Sequence, residues 1–262
     1  MSNRINQKMT VSIHILSDLH LEFEDFHPVV TDVDIVILSG DIDIGTRGLS
    51  WARQKFPDCE IIYVAGNHEF YRHHYQELLQ QFRVESDQYH IHFLEKDELI
   101  LQGIRFLGCT LWTDYECSEG LTQEKALLDL ECRIADHRLI QVDDDDGNSV
   151  YFSTRHAWQI HRDSVAWLRR KLLDEQFDGN TVVISHHGPS QFCEHKLFGA
   201  NELAGAFYSD LPDLMEQADL WIYGHTHSNL DIKINQCRLL SNQKGYPNER
   251  VDDFNENLIL TI

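Results

Sequence analysis

Residues 61–69 read IIYVAGNHE, an apolar run that ends abruptly in Gly66, Asn67, His68 and Glu69. A short run of β-branched and aromatic side chains bounded by polar residues is typical of a buried strand. Four other segments have the same pattern of an apolar run followed by polar groups: residues 11–16, 34–38, 181–184 and 220–223. In layered α/β folds, polar groups just past the carboxyl ends of buried strands form the ligand site.

The other patterns complete an α/β architecture. Helical spacing of apolar residues predicts helices over residues 71–82, 123–133 and 157–173. Further strands are predicted over residues 104–107 and, as antiparallel strands, over residues 231–234, 238–241 and 258–262. Residues 113–155 have weak strand signals, so we expect a single domain over residues 1–262 with a cap-like insertion around 113–155.

The acidic run at residues 143–146 is followed by Gly147 and Asn148. It could form a calcium-binding loop or the solvated tip of a hairpin. A calcium loop needs spaced ligands and a distal glutamate, which this segment lacks. The Asp-Gly pair is a common hairpin turn, and the pattern favours the hairpin tip.

Composition narrows the class of partner. The formal net charge of −21 comes from 43 acidic and 22 basic residues. A surface this negative repels nucleic acid and anionic lipid, which argues against a nucleic-acid or membrane partner. No apolar run approaches the roughly 18 residues of a membrane span. The 6 cysteines form no C-x-x-C pair and predict reduced thiols, so we expect a soluble, cytoplasmic protein.

Side chains that follow the predicted strands include seven that can bind a metal: Asp18, His20, Asp41, Asn67, His186, His225 and His227. The Asp18-x-His20 and His225-x-His227 pairs each place both members on one side of an extended chain. The carboxylate of Asp41 has two oxygens and could bridge two cations. Because all the donors are oxygen or nitrogen, the set favours divalent manganese, iron, zinc, nickel or cobalt over a structural zinc–cysteine site.

The motifs follow one another in a fixed order: Asp18-x-His20, Gly40-Asp41, Gly66-Asn67-His68-Glu69, His186 and Gly224-His225-Thr226-His227. This series resembles the calcineurin-like metallophosphoesterase superfamily. Residues 108–115 (GCTLWTDY) and 136–138 (DHR) also resemble bacterial members of uncharacterised specificity. The resemblance implies a four-layer αββα sandwich, in which two mixed β-sheets are flanked by helices and carry two divalent metal ions at the strand ends.

The resemblance also implies a role for each motif residue. It implies that one metal binds Asp18, His20, Asp41 and His227, and that the other binds Asp41, Asn67, His186 and His225. His68 matches the general acid of the family. His186 is preferred to its neighbour His187 because it directly follows the predicted strand, and His187 stays the alternative. The carboxylate that orients the acid histidine is not at the family's usual spacing, and Asp43 is one candidate for it.

The substrate class is narrowed by what the motifs lack. Ser/Thr protein phosphatases of the superfamily carry phosphate-clamping arginines after Gly-Asp and before Gly-Asn-His-Glu. Here Asp41 is followed by residues IDIG, and Ala65 precedes Gly66. We therefore expect hydrolysis of a small soluble phosphodiester or phosphomonoester, the diester being favoured, by attack of a metal-bridging hydroxide. A protein phosphatase, a nuclease and a non-catalytic scaffold of the same fold remain alternatives.

Four residues are candidates for contact with the small-molecule substrate: Asn67, His187, Trp112 and Arg138. Asn67 is a metal ligand that can also face a phosphate. Trp112 and Arg138 belong to the region of the predicted insertion, where packing within the insertion is an equal alternative to substrate contact. The sequence carries no prediction of oligomeric state.

Overall fold

Thirteen strands and six α-helices make up the computed structural model, which describes residues 10–29, 32–174 and 177–262. The strands are β1 (Ser12–Leu16), β2 (Ile35–Ser39), β3 (Glu60–Val64), β4 (His92–Phe93), β5 (Asp97–Leu101), β6 (Ile104–Cys109), β7 (Gln141–Asp143), β8 (Ser149–Tyr151), β9 (Thr181–Ser185), β10 (Leu220–Tyr223), β11 (Asp231–Ile234), β12 (Cys237–Ser241) and β13 (Ile259–Thr261). The helices are α1 (Arg47–Lys55), α2 (Tyr75–Gln88), α3 (Gln123–Arg133), α4 (Asp136–Leu139), α5 (Thr154–Arg169) and α6 (Pro212–Met215).

Two mixed sheets hold most of these strands. The first has the order β13-β1-β2-β3-β4, and the second has the order β11-β12-β10-β9-β6-β5. Within the first sheet β1 to β4 are parallel and β13 is antiparallel. Within the second sheet the central four strands are parallel and the two edge strands are antiparallel. The parallel strands of each sheet therefore bring their carboxyl ends to one edge.

The two sheets pack face to face through alternate residues of their strands. Ile13 and Ile15 of β1 and Ile35 and Ile37 of β2 belong to one buried cluster with residues of the second sheet, among them Ile184. Because successive side chains of a strand point to opposite faces, residues two apart enter the same layer. The central strands are buried on both faces, which explains their continuous apolar sequence.

Helices cover the outer faces of both sheets. On the first sheet, Tyr63 of β3 shares a buried cluster with Leu49 of α1 and Phe82 of α2. On the second sheet, Trp221 of β10 shares another buried cluster with Leu168 of α5. The order of layers is helix, sheet, sheet, helix, and the expected four-layer sandwich is confirmed.

The region around residues 113–155 contains α3, α4 and the hairpin of β7 and β8. The acidic run lies at the tip of this hairpin, where Asp144 accepts hydrogen bonds from the backbone N–H groups of Asp146 and Asn148. The segment is therefore a hairpin turn, and the carboxylate of Asp144 is already hydrogen-bonded to backbone N–H groups of the same turn. Among the described residues, none of the helices is both long and apolar enough to span a bilayer.

One helix begins later than the sequence predicts. The predicted helix over residues 71–82 corresponds to α2, which starts at Tyr75 and runs to Gln88. Before it, a 3-10 turn covers His68–Phe70, Arg72 has a left-handed φ of 65°, and His74 pairs with Gln141. The left-handed residue interrupts the helical backbone, and the bridge to Gln141 uses backbone hydrogen-bonding groups that a helix starting at residue 71 would need.

Candidate metal centre

All seven predicted metal ligands lie at the shared edge of the two sheets. The first sheet contributes Asp18 and His20 after β1, Asp41 after β2 and Asn67 after β3. The second sheet contributes His186 after β9, and His225 and His227 after β10. Within the part of the chain that the structure describes, three groups of titratable side chains lie close enough together to hold an ion: Asp18–His20–His227, His20–Asp41–His68 and Asp41–His186–His225. The site is therefore built by both sheets, and Asp41 takes part in two of the three groups.

Left-handed backbone at the ligands turns their side chains into the site. Asp18, His20, Asp41, His225 and His227 have φ values of 54°, 50°, 53°, 70° and 48°. A non-glycine residue in this region costs about 1–2 kcal/mol and persists only where surrounding contacts fix it. The N–H of Asp18 donates to the carbonyl of Gly40, and the N–H of His20 donates to the carbonyl of Asp41, each at 3.0 Å. Such concentrated strain is typical of a functional site.

Two glycines allow the ligands to approach one another closely. A Cβ on Gly66 would lie 2.1 Å from Asp41 Oδ1, and a Cβ on Gly40 would lie 2.3 Å from His186 Nδ1. Both distances are far below van der Waals contact. Any side chain at these positions would push Asp41 or His186 out of place, so the sequence needs glycine there.

The first donor set consists of Asp18, His20 and His227. The Nε2 atoms of His20 and His227 lie 3.1 Å apart, and His227 Nε2 lies 3.4 Å from Asp18 Oδ1. The Nδ1 atom of His20 faces Glu22 at 3.1 Å, and that of His227 faces Glu249 at 2.5 Å. A carboxylate on Nδ1 places the proton there and leaves the Nε2 lone pair for a metal. The two lone pairs and the Asp18 oxygen thus converge on one place.

The second donor set is built around His186. Its Nδ1 donates to the carbonyl of Ser39 at 3.0 Å, which leaves Nε2 as the donor atom for a metal. That Nε2 lies 3.0 Å from Asn67 Oδ1 and 3.3 Å from Asp41 Oδ1. The amide nitrogen of Asn67 donates to Asp136 at 2.9 Å, so the amide oxygen is turned toward the site. His225 completes this set.

The carboxylate of Asp41 connects the two sets. Its Oδ1 faces His186 at 3.3 Å, whereas its Oδ2 lies 3.9 Å from the Nε2 atoms of both His20 and His68. Asp41 is 2% exposed. The two oxygens of Asp41 therefore face different donor sets, so this one carboxylate is in contact with both.

Electrostatics also fit a site for cations. Burial lowers the pKa of His186, but Asp41 outweighs burial and raises it to about 9. Burial likewise opposes the charge of His227, and hydrogen bonds with Asp18 and Glu249 outweigh it, so the pKa of His227 rises to about 10. Carboxylates that keep protons on buried imidazoles can hold divalent cations in place of those protons.

His68 lies beside the donor sets and is fixed from both ring nitrogens. Its Nδ1 lies 2.7 Å from Glu22 Oε1, and its Nε2 lies 3.0 Å from the hydroxyl of Tyr246. Burial lowers the pKa of His68, but the charges of Asp41 and Glu22 outweigh burial and leave the pKa raised. The ring is therefore held in one orientation and is biased toward its protonated form.

The carboxylate that orients His68 is Glu22, and the suggestion of Asp43 is wrong. Asp43 pairs with Arg47 and lies outside this network. Burial opposes the charge of Glu22, but hydrogen bonds with His20 and His68 hold its pKa at about 2. The sequence contained one signal for it, since Glu22 follows His20 by two residues and extends the Asp-x-His alternation. Tyr246 and Glu249, which also support the site, lie in a segment without any motif.

Glu69 is another residue whose role the sequence did not assign. Its buried carboxylate accepts hydrogen bonds from the backbone N–H groups of Asp41, Ile42 and Gly66 and from the hydroxyl of Tyr63. Burial and the charge of Asp41 raise the pKa of Glu69 to about 7. Glu69 thus fixes the loops that carry the bridging carboxylate and Asn67.

Of the four residues expected to contact substrate, only Asn67 lines the cavity at the metal centre. Trp112 is 1% exposed and packs on Phe152 with ring centroids 4.6 Å apart. Arg138 is exposed, and its guanidinium donates to the carbonyl of Cys132 at 3.3 Å. Both residues pack within or beside the insertion, which is the alternative that the sequence had left open for them.

His187, the remaining candidate, lies behind the ligands. It is 1% exposed, and its Nδ1 lies 3.2 Å from the carbonyl of Thr110. Its ring packs on that of His225, with centroids 4.2 Å apart. Burial drives its pKa well below the usual value, so the ring is neutral. His186, and not His187, faces Asp41 and Asn67.

A cavity of about 650 Å³ opens from the metal centre. Asp41, Asn67, His68, His225 and His227 line its base. Its walls come from the end of α3 and the start of α4, and from the segment between β9 and β10. The donor sets and His68 therefore face a space large enough for a small organic molecule.

Comparisons with known proteins agree with this fold and site. Uncharacterized protein L509 of Acanthamoeba polyphaga mimivirus is 25% identical over 280 residues, which cover 93% of this chain and 94% of that protein. The crystal structure of phosphopantetheinyl hydrolase from Mycobacterium tuberculosis superposes with a TM-score of 0.71 over 90% of both chains, at 19% identity, which is a likeness of fold alone. Residues 11–229 match the calcineurin-like phosphoesterase family, and so the chain belongs to that family of metal-dependent phosphoester hydrolases.

Proposed function

We propose that this protein hydrolyses a small phosphodiester at a centre of two divalent metal ions, with His68 as the general acid. The observation that carries the proposal is the pair of donor sets joined by Asp41, with His68 on the same cavity. Asp18, His20 and His227 would hold one ion together with Asp41. Asn67, His186 and His225 would hold the other.

When bound, two such ions neutralise charge on the phosphoryl oxygens and lower the pKa of water enough to supply a nucleophile at neutral pH. The protein supplies the proton for the departing alkoxide from Nε2 of His68, which is the nitrogen that faces Tyr246, another residue of the cavity lining. Glu22 keeps the other ring proton on Nδ1 and stabilises the protonated ring. The hydroxyl of Tyr246, 3.0 Å from Nε2, marks a place where an oxygen can accept that proton.

The charges that line the cavity favour a diester over a monoester. A monoester carries close to two negative charges near neutral pH and a diester carries one. Apart from histidines, Arg133 is the only cationic side chain among the described residues that line the cavity, and it is already paired with Asp129 and Glu202. Beyond the metals and the histidines, the described part of the lining therefore offers no unpaired lysine or arginine to a second negative charge. The same shortage weighs against a protein phosphatase, and the net charge of −21 weighs against a nuclease.

The first experiment compares bis-4-nitrophenyl phosphate with 4-nitrophenyl phosphate. The protein is stripped with a chelator and then supplied with Mn²⁺, Ni²⁺, Zn²⁺ or Mg²⁺ in turn, while bound metal is measured separately. We expect metal-restored cleavage of the diester at a higher kcat/KM than of the monoester. His92→Ala, which changes a histidine on the edge strand β4, should behave as the wild type.

Other outcomes select the alternatives. Cleavage of the monoester alone would overturn the diester assignment and favour a phosphatase. Silence on both esters with two metals bound would contradict the enzymatic proposal and favour a scaffold. Cleavage of both esters after complete removal of metal would contradict the metal-dependent mechanism.

A further inference from the structure

We propose, resting on the function above, that the wall of the cavity binds an uncharged, apolar organic group of the substrate. The group would be the ester arm that stays on phosphorus when the leaving group departs. The substrate class is then a phosphodiester with one apolar arm.

The wall is built from two segments that carry apolar side chains. The end of α3 and the start of α4 contribute Ile134 and Ala135. The segment between β9 and β10 contributes Phe198, Leu203 and Phe207, among others. Phe198 stacks on the ring of His195 with centroids 4.4 Å apart and is still 70% exposed, which leaves most of its surface open to a ligand.

Two polar side chains of the same wall, Asp136 and Asn201, are already hydrogen-bonded within the protein. The carboxylate of Asp136 accepts hydrogen bonds from Asn67 and from the hydroxyl of Tyr71. The amide of Asn201 donates to the carbonyl of Gly199 and accepts from the N–H of Leu203. Because these groups already have hydrogen-bond partners within the fold, they gain little from a polar group on a ligand.

Charged groups in the wall are paired as well. The guanidinium of Arg133 lies 2.7 Å from Asp129 and 3.0 Å from Glu202. Glu249 is engaged by His227. A second phosphate or a carboxylate on the substrate would lose its hydration without gaining a free cation. The wall therefore selects against an arm that carries an additional negative charge.

The apolar wall begins directly at the metal ligands. The ring of Phe207 lies against that of His225, with centroids 5.0 Å apart and an angle of 31° between the ring planes. The ring of His68 packs instead against that of Tyr71, with centroids 4.2 Å apart. Since the leaving group must depart beside His68, the surface next to His225 is positioned for the arm that is retained. A short alkyl chain or an aromatic ring has the chemistry that this surface fits.

The test uses 4-nitrophenyl phosphodiesters that differ only in the retained arm: methyl, butyl, phenyl and 3-carboxypropyl. The leaving group is constant, so kcat/KM reports the binding of the arm. Each fully buried methylene should raise kcat/KM about fourfold, the equivalent of about 0.8 kcal/mol. We expect the butyl ester to exceed the methyl ester by roughly tenfold to 60-fold, and the carboxypropyl ester to fall below the butyl ester by at least as much. A higher value for phenyl than for butyl would identify the arm as aromatic, and the reverse would identify it as aliphatic.

Two variants with a matched control locate the effect on the wall. Phe198→Ser and Leu203→Ser should each lower the ratio of the butyl to the methyl rate by at least threefold. Leu197→Ser changes an apolar side chain that is 81% exposed and adjacent to Phe198 but does not line the cavity, and it should leave the ratio unchanged. Equal rates for methyl and butyl esters, or an equal change of the ratio in Leu197→Ser, would overturn the inference.

Failure of this inference is distinguishable from failure of the proposed function. Cleavage of the methyl ester without any preference for butyl would leave the phosphodiesterase standing and reject the apolar arm. If no ester is cleaved, calorimetry of butyl phosphate against methyl phosphate on the metal-loaded protein still tests the wall. Tighter binding of butyl phosphate by tenfold or more, with a more negative heat-capacity change, supports the inference, and equal binding rejects it.

Discussion

Replacing Glu22 by glutamine tests how the acid histidine is held. One carboxylate oxygen of Glu22 lies 2.7 Å from Nδ1 of His68 and 3.1 Å from Nδ1 of His20. Each is a hydrogen bond to a charged group, worth about 1.5–3 kcal/mol. The glutamine keeps the size of the side chain but removes the charge that stabilises the protonated ring of His68. Loss of one such bond in the transition state corresponds to a fall in kcat of roughly 10-fold to 150-fold.

The assay follows the departure of two leaving groups from otherwise matched phosphodiesters. Phenol is a poorer leaving group than 4-nitrophenol and depends more on proton donation by His68. We expect Glu22→Gln to lose roughly 10-fold to 150-fold in kcat on the phenyl ester and clearly less on the 4-nitrophenyl ester. Metal affinity should fall as well, because His20 loses the group that fixes its ring.

Glu24→Gln is the matched control, since Glu24 is an exposed carboxylate two residues farther along the chain and pairs with Lys244. It should retain wild-type turnover and metal content. The reasoning is refuted if Glu22→Gln hydrolyses the phenyl ester at the wild-type rate. It is also refuted if both esters lose the same factor while the metal content is unchanged.

Three further substitutions probe the centre itself. His68→Ala should keep both metals and lose about 10²-fold to 10⁴-fold in turnover, with a smaller loss for good leaving groups; equal losses would remove the acid role. Asp41→Asn should lose metal together with activity, because the neutral amide removes the negative charge that a ligand shared by two cations must carry, and full metal occupancy by elemental analysis would contradict this. Gly66→Ala places a Cβ 2.1 Å from Asp41 Oδ1 and should lower metal content, whereas Gly147→Ala, with open space around it, should cost only about 1 kcal/mol of stability in thermal unfolding.

The sequence predicted the central strands and placed the candidate ligands directly after them because both depend on local patterns, whereas the sandwich was implied by the family resemblance. Each ligand directly follows a strand whose apolar run is buried on both faces, as residues 61–69 illustrate. Parallel strands bring their carboxyl ends to one edge, so residues far apart in the chain meet without any further information. The distance between Asp41 and His186, 145 positions apart in sequence, follows from this topology.

The residues that hold the ligands in place could not be predicted from local sequence patterns in the same way. Tyr246 reaches His68 across 178 residues, and Glu249 reaches His227 from a segment without regular structure. Their contacts depend on the path of a loop, for which no periodicity exists. Trp112 was a candidate for substrate contact, with packing as an equal alternative, because its place in the chain did not decide between them. Its burial among Phe70, Tyr75 and Phe152 is decided by tertiary packing.

Anomalous diffraction from crystals grown with Mn²⁺ tests the central claim most directly. The account predicts two anomalous peaks, one on each side of the Asp41 carboxylate. One peak should be coordinated by Asp18, His20 and His227, and the other by Asn67, His186 and His225. A single peak, or two peaks that do not share Asp41, would contradict the dinuclear centre.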